Sequence, residues 1–193
     1  MTILLETPQP QSNKLFLHGI TWNQLKNLES SFNDIAGVRL IYLDSILEIM
    51  ILGTEHEYYK RTISLLLDAY LRAKNIRFYS GGSATLGTKE ITGRKEPDES
   101  YNIHSKKEIP DLVIEIIITS GDINILEIYR RLAIPEVWFW QNKVLTVYTL
   151  KNNQYIKVNE SNLLPDLNLE SFTKYINYHD QYDAVNEFIS ELK

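Results

Sequence analysis

Apolar residues recur along this chain in two rhythms, one of period two and one near 3.6, and the switches between them outline its elements. Residues 1–14 carry neither rhythm; polar and proline-bearing, they read as a flexible arm. Thr21 can cap a short helix running to about Phe32. Val38–Leu43 and Ile46–Ile51 form a predicted hairpin that turns at Asp44-Ser45. The stripe His56, Tyr59, Ile63, Leu66, Leu67 and Tyr70 predicts the longest helix, from Thr54 to about Asn75. Short strands are expected near 77–79, 84–86 and 98–103. Asp111–Thr119 is apolar on both faces, as expected of a central strand covered on both sides. Ser120-Gly121 ends it, and a helix follows over Asn124–Leu132. Pro135–Trp140 and Val144–Leu150 read as a second hairpin turning at Asn142-Lys143. Gln154–Val158 can add an edge strand, and Asp180–Leu192 a last helix. This order predicts an α/β (α+β) layer fold, a central mixed sheet flanked by helices, in a single domain over 15–193.

Composition narrows the class. A chain of 193 residues, 44% apolar and 23% charged, can bury a sizeable core. Its net charge of −5 argues against a passive coat for nucleic acid, which needs a basic surface. A nuclease stays open, because metal-binding acids lower the count and the metal returns positive charge. With no cysteine, thiolate metal sites and cysteine nucleophiles are excluded. The first residues lack the pattern of a signal peptide, and no apolar run approaches a membrane span. The expectation is a cytoplasmic protein with no membrane partner.

The candidate chemistry centres on two acids. Glu115 stands inside the apolar run Leu112-Val113-Ile114-Glu115-Ile116-Ile117, where an unpaired carboxylate is costly. Either a divalent metal or an arginine such as Arg130 can compensate it. Asp111 shares a face with Glu115 but lies roughly 13 Å along the same strand, too far to grip one ion. Asp98, in Glu96-Pro97-Asp98-Glu99, lies on the preceding strand and can sit beside Glu115. The pair is the candidate metal-ligand set, since Mg²⁺ keeps several waters and takes only one or two carboxylates. Phosphodiester hydrolysis also wants a nearby fixed cation, usually lysine. His56 and Glu57 open the long helix; His56 falls on its inward stripe and Glu57 about 100° around it. Each has an ordinary alternative, as a boundary histidine and as a first-turn acid. His18, His104 and His179 lack metal-ligand spacing. Strand alternation sets Phe139 opposite Trp138 and Trp140, which suits core or dimer packing better than base stacking.

Several blocks together resemble a known family. Gly37 to Met50, Glu55-His56-Glu57, Glu96-Pro97-Asp98-Glu99-Ser100-Tyr101, Ile109-Pro110-Asp111-Leu112-Val113-Ile114-Glu115, Thr119-Ser120-Gly121 and the run from Leu126 to Trp140 are similar to the restriction-endonuclease family abundant in cyanobacteria. That family lies within the PD-(D/E)XK nuclease superfamily. The resemblance covers roughly residues 20 to 190. It implies a restriction endonuclease-like core, Mg²⁺ or Mn²⁺ as cofactor, DNA as substrate, and hydrolysis of phosphodiester bonds. By position, Asp98 and Glu115 resemble the two acids, the Ile116 carbonyl a further metal ligand, and His56 and Glu57 residues flanking the site. A symmetric homodimer is expected, since cutting a duplex is easiest with two sites.

One departure divides the functional reading. The superfamily lysine would stand at Ile117, and the displaced lysine of this family at Ile125, whose often acidic neighbour is Asn124. A lysine from elsewhere could substitute, Lys89 first and Lys95 next. The two hypotheses are a metal-dependent DNA endonuclease, slow or inactive for want of that lysine, and a non-enzymatic DNA- or metal-binding member of the same fold.

Overall fold

The period-two segments assemble into two sheets in the computed structural model, which describes residues 14–32, 34–118 and 124–192. The first sheet holds β1 (Lys14–His18), β2 (Val38–Leu43), β3 (Ile46–Ile51) and β5 (Gly93–Lys95) in the order β1-β3-β2-β5. The second is larger. It contains β4 (Phe78–Ser80), β6 (Glu99–Ile103), β7 (Leu112–Ile117), β8 (Glu136–Gln141), β9 (Val144–Lys151) and β10 (Gln154–Val158), ordered β10-β9-β8-β7-β6-β4. The expectation of a mixed sheet holds in this larger sheet, where β7 and β8 run parallel and their neighbours pair antiparallel.

Local chemistry accounts for most boundaries. Helix α1 (Trp22–Phe32) starts with a reciprocal cap: the Gln24 N–H donates to the Thr21 hydroxyl, and the Thr21 N–H donates to the Gln24 side chain. Both expected hairpins turn at two residues of positive φ, Asp44-Ser45 (48° and 69°) and Asn142-Lys143 (51° and 63°). That matches the twist flanking strands need. Helix α2 (Thr54–Ala73) buries the expected stripe, with His56, Ile63, Leu66, Leu67 and Tyr70 all inside. Its inner face joins α4 (Leu169–Ile176) and α5 (Gln181–Glu191) to cover one face of the large sheet, with Trp138 and Trp140 in that core. The opposite face carries Val113, Val137 and Phe139 against Tyr129 and Leu126 of α3 (Ile125–Arg131), the crossover between the parallel strands. Asp180 caps α5, accepting from the Tyr182 and Asp183 N–H groups.

Three elements were not expected. Strand β1 starts at Lys14, a residue expected in the arm; the rest of that expectation, residues 1–13, lies outside the described residues. As a half-exposed edge strand, β1 offers no strong alternation. Strand β5 is too short and polar to show a period. Helix α4 did have a readable signal, because Asn168 caps it by accepting from the Ser171 N–H. Conversely, the strand expected over 84–86 reduces to one bridge, Leu86 with Lys95. Gly87, at φ +110°, makes that bridge possible: a Cβ there would stand 2.1 Å from the Gly93 carbonyl oxygen. The break expected at Ser120-Gly121 lies outside the described residues. Among the described residues, no helix is long and apolar enough to cross a membrane.

Candidate active site

A cavity of about 680 Å³ is lined by residues of both sheets and by the starts of α2 and α3. Its position follows from the segment Lys95-Glu96-Pro97-Asp98, which carries the chain from β5 in the first sheet to β6 in the second. Lys95 stands on one wall and Asp98 on the other, three residues apart.

Register sets the two acids side by side. In the antiparallel β6–β7 ladder, Glu99 pairs with Ile114, so Asp98 falls opposite Glu115 one step beyond. The Asp98 carboxylate is then fixed from two directions. Its Oδ2 accepts from the Ile116 N–H at 2.7 Å, and its Oδ1 lies 3.0 Å from His56 Nε2. Glu115, 1% exposed, is held at both oxygens as well. The Lys95 ammonium is 2.9 Å from Oε2, and the Tyr129 hydroxyl donates to Oε1. Lys95 also donates to the Glu96 carbonyl at 3.1 Å. Its backbone is locked between Ile41 of β2 and Leu86, so the ammonium is carried on a rigid element.

Electrostatics follows this geometry. Burial pushes Glu115 up to about 7; the Lys95 charge opposes that shift and the Asp98 charge adds to it. Burial opposes ionisation of Asp98 too, but the His56 hydrogen bond, the Lys95 charge and the Ile116 N–H prevail and lower its pKa. Lys95 is raised: burial works against the ammonium, and the charges of Glu115 and Asp98 outweigh it. His56 is raised likewise, with burial overcome by Asp98 and helped by Glu57. The imidazole has carboxylate oxygens near both nitrogens, since Glu57 Oε1 lies 3.3 Å from Nδ1, which favours the doubly protonated ring. The arrangement therefore combines a fixed carboxylate, a second carboxylate that ionises around neutral pH, and a buried ammonium between two strands.

The other site candidates are distributed as follows. His56 meets the acids, whereas Glu57, expected about 100° around the helix, lies behind it, half exposed and off the cavity wall. Helical geometry is the reason: one residue's step of about 100° turns Glu57 away. Lys89 sits in the exposed turn before β5 and does not line the cavity, whereas Lys95 does. Ile116 lines the cavity, with its N–H engaged by Asp98. Ile117 and Ile125, where a lysine would have been expected, line it too. The arginine alternative for Glu115 falls away, because Arg130 pairs with Glu127 and Asn153 instead. Asp111 is a loop staple, accepting from the Ile103 N–H and pairing with Lys107.

Two residues of the site escaped the sequence reading. Tyr129, behind the cavity wall, donates its hydroxyl to Glu115. Glu48, on β3, is 1% exposed and faces the same cavity from the first sheet. In the alternation of β3, Glu48 lies opposite Leu47 and Ile49, so it reads as a solvent-facing acid. Only the second sheet, invisible in that local pattern, buries it.

None of the curated proteins searched matches this chain. Residues 22–176 do match the Uma2 family profile, described as putative restriction endonuclease, and that span takes in α1 to α4 and every wall of the cavity except Lys14. The mixed α/β architecture, with two acids on neighbouring strands of its larger sheet, agrees with a restriction endonuclease-like fold, and the chain belongs to the Uma2 family.

Proposed function

We propose that the chain is a divalent-cation-dependent DNA endonuclease whose two acids are Asp98 and Glu115, with Lys95 as the cation that Ile117 and Ile125 do not supply. The observation that carries this reading is the Lys95 ammonium, 2.9 Å from Glu115 on a rigid strand of the opposite wall. A substitute lysine needs that kind of fixed geometry to act.

The residues fit a hard cation that keeps its water. Each oxygen of Asp98 and Glu115 is engaged once by a donor, which leaves further lone pairs open. Among the described residues, no three acidic or imidazole side chains gather closely enough to hold an ion outright. That argues against a closed structural site and suits Mg²⁺ or Mn²⁺. Asp98 and Glu115 would hold the cation, which when bound supplies charge neutralisation at the phosphate and an acidified water.

The chain's own groups do the rest. Asp98 is kept ionised and oriented by His56 and the Ile116 N–H. Glu115 is kept in place by Tyr129 and Lys95. The Lys95 ammonium steadies negative charge that develops on a phosphate in the cavity. His56, as imidazolium, restrains Asp98 and adds a second positive charge beside it.

A nuclease assay with Mg²⁺ or Mn²⁺ on supercoiled and single-stranded DNA tests the reading. Cleavage lost in both Asp98→Ala and Lys95→Ala is the expected result. The non-enzymatic alternative draws on the empty Ile117 and Ile125 positions; metal binding without any cleavage by the unmodified chain would favour it.

A further inference from the structure

Glu48 is unlike the other buried acids of this molecule. Among the described residues, its two oxygens are buried without a hydrogen-bond partner, whereas Asp98, Asp111, Glu115 and Glu136 all accept hydrogen bonds. Its nearest ammonium, on Lys14, stands 3.5 Å from Oε1. Leaving a carboxylate buried in this state is costly, and the fold shows no structural gain from it.

Its placement points to the cavity. Glu48 pairs across the first sheet with Ile41, and Ile41 with Lys95. The three residues therefore form one cross-strand row on one face, three strands wide, and all three line the cavity. Asp98 and Glu115 line it from the other sheet. Asp98 and Glu115 each have a cationic side chain within 3.0 Å, His56 and Lys95, whereas Glu48 has only the Lys14 ammonium at 3.5 Å and accepts no hydrogen bond.

We propose that Glu48 is the third carboxylate of the cation site, acting as a positioning residue that holds a water of the hydrated divalent ion from the opposite wall. The role is water-mediated, because Glu48 does not gather with Asp98 and Glu115 as a direct ligand set. A cation that keeps several waters presents hydrogen-bond donors outward, which is what the unpartnered oxygens of Glu48 lack. The inference rests on the reading of Asp98 and Glu115 as cation ligands, and it adds a contribution from the other sheet.

Calorimetric titration with Mn²⁺ in the absence of DNA separates the two. The unmodified chain binds, Asp98→Asn loses binding, and the isosteric Glu48→Gln binds about tenfold more weakly, the size typical of a lost outer-shell partner. Lys14→Met is the second variant. It removes a positive charge that competes for Glu48 and is expected to tighten Mn²⁺ binding. Equal affinity in folded Glu48→Gln, or unchanged affinity in Lys14→Met should Glu48→Gln not fold, overturns the role of Glu48 alone. No binding by the unmodified chain overturns the cation site itself.

Discussion

Glu115 and Glu136 are buried glutamates on the adjacent parallel strands β7 and β8, yet their surroundings differ in kind. Glu136, 0% exposed, is enclosed by neutral donors. The Trp138 indole N–H (2.7 Å), the Ser161 hydroxyl (2.5 Å) and the Asn162 N–H (2.8 Å) all reach it, with Thr149 at 3.4 Å. Those donors tie the 161–162 segment to β8 and β9, and the acid lines no described cavity. Glu115 faces a cavity, beside a second carboxylate and an ammonium. A buried acid is therefore no sign of chemistry by itself. The separating features are charged partners, a neighbouring acid and room for a ligand.

The comparison can be broken most directly at Asp98. Asp98→Ala is expected to lower metal-dependent cleavage on the order of a thousandfold, measured as initial rate on supercoiled DNA. Lys95→Ala should cost roughly a hundredfold to a thousandfold if its ammonium steadies the developing charge. Glu136→Ala should act on the fold instead. Stranding the Trp138, Ser161 and Asn162 donors is expected to cost about 3 kcal/mol or more in urea unfolding, with Mn²⁺ affinity of the folded fraction unchanged. A Glu136 variant that folded normally but lost the metal would erase the distinction.

Acidity sharpens the same contrast. Glu115 is raised from 4.5 to about 7, so folding disfavours its charged form. Its contribution to stability is full below pH 4.5 and is lost as pH rises to about 7, by about 3 kcal/mol at most. His56 works in the same direction, since a raised imidazole stabilises below its ordinary value and loses that contribution as pH rises through the folded one. Asp98, lowered, acts oppositely: its contribution is full above its ordinary pKa and is lost only as pH falls below it. Metal-free unfolding followed from pH 5 to 8 should show declining stability. Glu115→Gln should flatten much of that slope, and Glu136→Gln should leave it in place.

The smallest effect is expected at the surface network that ties the first hairpin turn to α3. Arg131 there holds Asp44 at 2.7 Å and lowers its carboxyl to about 2, but Asp44 is half exposed. Arg131→Ala should change thermal stability by no more than about 1 kcal/mol, with cation binding untouched.

How much of this was legible in the chain depended on the range of the interaction that fixes each feature. The hairpins at Asp44-Ser45 and Asn142-Lys143, the stripe of α2 and the apolar β7 are written in local periods, and each is present. Asp98 was separable from Asp111 by strand distance alone, and the register agrees. Lys95 and Glu48 were harder. Both lie on the smaller sheet, and both become part of the cavity only because the larger sheet covers that face. Neither a period nor a motif carries that information. The split between His56 and Glu57 was legible, because one residue's rotation of about 100° about a helix gives His56 the inward position and turns Glu57 outward.

The central claim, that Lys95 supplies the cation this site needs, is tested most directly by one cleavage assay. It compares the unmodified chain, Lys95→Ala, and Lys95→Ala combined with Ile125→Lys, each with Mn²⁺ on supercoiled DNA. The expected result is cleavage by the first, its loss in the second, and partial recovery in the third, since residue 125 lines the same cavity. Equal cleavage with and without Lys95 would contradict the account.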